Sequence, residues 1–100
     1  MTHVVIRYGR DGYTLTATGH AGTEKECIAV SAVIQALAGW VHNQHSGVLS
    51  LEKGEARIAF PKMPGAVTAM ELTLIGLLQI EATAPESVKV EIQDTVPGDL

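Results

Sequence analysis

The apolar stretch over residues 65–83, GAVTAMELTLIGLLQIEAT, constrains this chain more than any other segment. Its apolar residues recur at helical spacing, Pro61 and Pro64 bracket the loop before it, and Pro85 ends it. Val67, Met70, Leu74, Leu77 and Leu78 fall on one side of that helix, and Leu72, Ile75 and Ile80 lie elsewhere. One sheet face cannot cover so much apolar surface, so a partner subunit is expected to cover the remainder.

The rest of the chain supplies such a sheet. Residues 3–8, HVVIRY, are β-branched and aromatic, and residues 13–19, YTLTATG, alternate. Gly9-Arg10-Asp11-Gly12 between them suits a tight reversal, which predicts a hairpin. Tyr13, Leu15 and Ala17 share one face and Thr14, Thr16 and Thr18 the other, the pattern of a half-buried sheet. Residues 48–53 and 56–60 predict a second hairpin turned by Gly54-Glu55, and Val88, Val90 and Ile92 alternate in a last strand before the PGDL tail.

A first helix is predicted over residues 27–43. Its main buried face is Val30, Ile34, Leu37 and Val41, and Cys27, Ser31, Gln35, Ala38 and His42 form a narrower stripe beside it. Gly39 and Trp40 are expected to mark a close contact and an anchoring ring. Thr23 suits the cap of this helix, with Glu26 three residues on as in a capping box. The order is β-β-α-β-β-α-β, an α+β fold of one domain over residues 1–100 with two helices packed on a largely antiparallel sheet.

Composition narrows the function. With 100 residues and 46% hydrophobic, the chain has enough apolar material for one core. The formal charge of -4, with no local cluster of lysine and arginine, argues against a nucleic-acid surface. The N-terminus lacks a signal peptide's apolar segment, and no uncharged apolar run is long enough to span a membrane. A single cysteine excludes an internal disulfide, and a cytoplasmic protein is expected.

That cysteine carries the chemistry. Cys27 stands at the start of an apolar helix, with His20 upstream across a short polar segment. A helix N-terminus favours thiolate over thiol, and a nearby imidazolium does so further, so the pair suits nucleophilic attack. The plainer alternative is a small structural cysteine near a surface histidine. Ser31, one helical turn on, suits orienting the site or bonding a substrate carbonyl, or else bonds its own backbone. Glu24 suits orienting the imidazole, or is a solvated loop carboxylate. Gly19 gives backbone freedom near the site, as any turn glycine does. His42 and His45 complete no standard zinc spacing with His20 and Cys27, so no metal and no cofactor are expected.

Gly19-His20-Ala21, then Cys27, then Val30-Ser31-Ala32, resemble the ribosomal-processing cysteine protease (Prp, YsxB-like) family. The element order matches across essentially the whole chain, while the diagnostic residues are confined to positions 19–32. The resemblance implies a homodimeric, bacterial thiol protease with a Cys-His dyad. Family members remove a short N-terminal extension from a large-subunit ribosomal protein. Carried over by motif, His20 is the general base, Cys27 the nucleophile and Ser31 the family's serine. Glu24 stands where the family has an aspartate. The loop from His20 to Cys27 is several residues shorter than the family's, and Glu26 adds a charge beside the nucleophile.

Two rivals remain open at this point. One is a non-catalytic peptide- or protein-binding module on the same scaffold. The other is a thiol redox sensor, disfavoured by the lack of a resolving cysteine.

Overall fold

The computed structural model describes residues 1–19 and 24–94. The elements are β1 (Thr2–Tyr8), β2 (Gly12–Gly19), α1 (Glu24–Asn43), β3 (Val48–Glu52), β4 (Glu55–Pro61), α2 (Ala66–Thr83) and β5 (Val88–Asp94). They follow the expected order. The five strands form one mixed sheet in the order β3-β4-β2-β1-β5, antiparallel throughout except for the β1–β5 pair.

Period-two alternation decides which face of this sheet is covered. Val4, Ile6, Leu15, Ile58 and Val88 are fully buried on one side. Register places Val4 against Ala17 and Val90, and Leu15 against both Ile6 and Ile58, so the apolar residues form continuous rows. The neighbouring positions His3, Thr18, Arg57 and Lys89 are exposed on the other side. α1 buries the expected Val30, Ile34, Leu37 and Val41 against this core. Side chains of this kind each contribute about 1.5–3 kcal/mol on burial.

Several expectations shift. α1 starts at Glu24 rather than at Cys27, so Cys27 closes its first turn. The second hairpin turns on Lys53-Gly54, with Gly54 at φ 79 and Glu55 already in β4. α2 is rotated from the expected face. Ala66, Met70, Thr73 and Leu77 are its buried residues, whereas Val67 and Leu78 are exposed. Thr73 tolerates burial because its hydroxyl donates to the Ala69 carbonyl at 2.8 Å. The close helix contact is made by Gly76 against Val33 and not by Gly39, which is exposed with open space around it. α2 is apolar and long enough in composition to cross a membrane, with Glu71 and Glu81 inside it. Here it forms the second helix of the layer, against α1 and β5.

All four aromatic residues form one chain at the far end of the domain from Cys27. Tyr8 meets Tyr13 edge-on at 5.6 Å, Tyr13 meets Phe60 at 5.6 Å, and Phe60 meets Trp40 at 5.8 Å. Trp40 is thus the anchoring ring its sequence position suggested.

Candidate functional site

A cleft of about 380 Å³ opens where three elements end together. Thr2, Ala17 and Gly19 come from the end of the sheet, and Cys27, Val30, Ser31, Ile34 and Gln35 come from α1. The far wall is the β3–β4 turn from Leu51 to Ala56. This assembly follows from the pairing register. Gly19 donates its amide to the Gly54 carbonyl at 2.9 Å, which ties the hairpin turn to the end of β2 just before the chain leaves for α1.

Gly19 has φ 87, and a Cβ there would collide with the Met1 carbonyl. Glycine is therefore required for the close approach of β1 to the end of β2. The floor of the cleft is apolar, from Ala17, Val30, Ile34 and Ala56, while Glu52, Lys53 and Glu55 charge the rim.

Cys27, the chain's one cysteine, is partly exposed. It borders this cleft and also a shallower hollow of about 320 Å³ on the outer side of α1, lined by Cys27, Ile28, Ser31, Ala32 and Gln35. This thiol closes the first turn of α1, beside backbone amides that have no intrahelical acceptor. Glu26, partly buried, precedes it.

The structure thus brings three of the five expected site residues, Cys27, Ser31 and Gly19, to one cleft. Glu24 opens α1 instead of lying in a loop, and Glu24 to Glu26 are helical. His20 and Thr23 lie outside the described residues, as do Ala21 and Gly22. Of the predicted stripe, Cys27, Ser31 and Gln35 face the cleft, Ala38 is buried in the core and His42 is exposed. The hairpin wall was missed from sequence, because nothing local to residues 51–56 signals that β4 pairs with β2. Among the described residues no group of three or more His, Cys, Asp or Glu comes together as metal ligands would.

No family model matches the sequence, and no curated protein matches it. Solved structures do. The ribosomal processing protease Prp from S. aureus, with a covalently linked product peptide, superposes over 93% of this chain and 100% of that one. Its TM-score is 0.77 at 19% identity. The same protease with a substrate peptide matches over 93% and 100%, with a TM-score of 0.75 at 17% identity. A Streptococcus mutans protein matches over 94% of this chain and 95% of its own, with a TM-score of 0.73 at 20% identity. At these identities the shared property is the fold.

Proposed function

We propose that this protein is a cysteine endopeptidase of the ribosomal-processing type, with Cys27 as nucleophile and His20 as general base. The observation that carries the reading is the position of Cys27. It is the chain's only thiol, partly exposed in the first turn of α1, on a cleft with room for a peptide. The fold shared with Prp, a protease solved with peptides bound, supports it. Gly19, the chain neighbour of His20, lines the same cleft.

In this mechanism the Cys27 sulfur gives its proton to His20 and attacks the scissile carbonyl carbon. The first-turn amides of α1 hold the resulting oxyanion, a contribution of about 3–4 kcal/mol per donor. Collapse of the tetrahedral intermediate breaks the C–N bond, and the departing amine takes the proton from His20. Water then attacks the thioester. His20 accepts the water's proton and returns it to the departing thiolate, which restores the enzyme. Ser31 orients the bound carbonyl from one turn below, and Glu24 favours the imidazolium from the start of the helix. The substrate is a peptide, with the N-terminal segment of a ribosomal protein as the expected class, cut in the cytoplasm. The enzyme acts as a homodimer joined through α2, whose outer face exposes Leu72 at 65% and Ile75 at 52%.

The test is the rate of Cys27 alkylation by iodoacetamide against pH, in wild type and in His20→Ala. The peptidase reading expects fast alkylation at neutral pH that slows by at least about tenfold without His20. A slow thiol indifferent to His20 sinks it and leaves a peptide-binding module on the same scaffold.

A further inference from the structure

The sheet ends at β5, on the side away from the β3–β4 wall of the cysteine cleft. β5 pairs with β1 in parallel, so alternate residues turn their backbone groups toward β1 and the others turn them outward. Thr2 donates its amide to the Ser87 carbonyl at 2.8 Å, which puts residues 87, 89, 91 and 93 on the β1 side. Val88, Val90 and Ile92 therefore point their N–H and C=O groups out of the sheet. Such a row is where another strand adds.

Two of these three donors are already held. Val88 donates to the Ala84 carbonyl at 3.1 Å, within the turn that joins α2 to β5. Val90 donates to Glu81 Oε2 at 2.7 Å, and here the acceptor is a charged side chain reaching over from α2. A bond to a carboxylate is stronger than one between neutral groups. Leu78, three residues before Glu81 on the same side of α2, is 37% exposed. Ile92, two residues past Val90 on the same face of β5, is 50% exposed. A carboxylate thus closes an edge with exposed apolar side chains on its flanks.

That edge is complementary to itself in one register. Antiparallel pairing of β5 with β5 of a second copy, centred on Val90, sets Val88 against Ile92 and Lys89 against Glu91. The two-fold axis makes each of these pairs twice. Glu91 is fixed for the purpose on the open face, accepting from Gln93 at 2.6 Å with His3 at 3.8 Å. Centring the pair on Lys89 or on Glu91 instead sets like charges opposite each other, which repel. In the Val90-centred register the two Val90 residues exchange their N–H···O=C bonds. The donor those bonds need is the one Glu81 holds.

We propose that Glu81 is a latch that closes β5 against a second copy of this chain. While the carboxylate holds the Val90 amide, the central bonds of the pairing cannot form. The latch lies at the edge opposite the cleft wall, so it stands independently of the peptidase reading. It is also separate from the outer face of α2, since Leu72 and Ile75 lie about 120° or more around the helix from Glu81.

Analytical ultracentrifugation of wild type, Glu81→Gln and Glu81→Ala tests it. Glu81→Gln keeps an acceptor oxygen and is expected to sediment as the wild type does. Glu81→Ala is expected to sediment at about twice the wild-type mass. Adding Lys89→Glu to Glu81→Ala opposes like charges across the pair and is expected to restore the wild-type mass. A Glu81→Ala protein of wild-type mass overturns the latch, as does a Glu81→Gln protein as large as Glu81→Ala. A larger Glu81→Ala protein that Lys89→Glu leaves unchanged overturns β5 as the surface. If Glu81→Ala does not fold, hydrogen exchange of the wild type decides. The Val90 amide is expected to exchange about tenfold more slowly than the Ile92 amide on the same edge, and equal rates overturn the latch.

Discussion

Gly19 and Gly39 are the same residue type with opposite expected responses to a methyl group. Gly19, at φ 87, has the Met1 carbonyl where a Cβ would go. Gly19→Ala should therefore cost about 1–3 kcal/mol in urea denaturation and disturb the cleft mouth. Gly39 lies inside α1 with nothing within 4 Å of an added Cβ, so Gly39→Ala should stabilise by about 0.5–1 kcal/mol. Tyr8 makes a third test. Burial pushes its phenol above the ordinary 10.0, and the Glu71 carboxylate and Tyr13 add to the rise. The folded protein thus holds the phenolic proton more tightly than the unfolded chain does. That stability is complete below the unfolded value and is lost as pH rises through the folded one. In urea titrations above about pH 10, Tyr8→Phe should lose stability less steeply than wild type.

Both helices were legible as elements, but their rotations were legible to different degrees. α1 has a clear apolar face, and all four residues assigned to it are buried. α2 is apolar around most of its circumference, so periodicity could not choose its inner side. Packing chose Thr73 and Ala66 over Val67 and Leu78, because small or internally bonded side chains let the helix approach the core. Its start and end were visible in the prolines around it. The exposed side that results is the surface proposed to join two copies in a dimer. Ile75→Glu should convert a dimer to a monomer in analytical ultracentrifugation and cost little stability, since Ile75 stands half out of the fold. Unchanged sedimentation would remove α2 from the interface. The start of α1 was misplaced by three residues because Glu24, Lys25 and Glu26 read as a polar loop. In the fold they are its first turn, where acidic side chains suit the helix dipole.

At the scale of the molecule, the aromatic chain and the cysteine cleft occupy opposite ends of one sheet. Phe60→Ala, in the middle of that chain, should cost about 3–5 kcal/mol by thermal or urea denaturation. Below the unfolding transition it should leave the rate of Cys27 alkylation unchanged, since distant sites add independently. The sequence by itself determined the seven elements, the covered face of the sheet and the line of Cys27, Ser31 and Gln35. Those features depend on periods of two and about 3.6 residues, which a short window contains. The tertiary structure alone decided that β4 lies beside β2. The pairing carries the Lys53-Gly54 turn to Gly19, so that a hairpin remote in sequence becomes the far wall of the cysteine cleft. No local pattern encodes that approach. It comes from the register of strands separated by a whole helix, which is settled only when all their apolar rows are buried together.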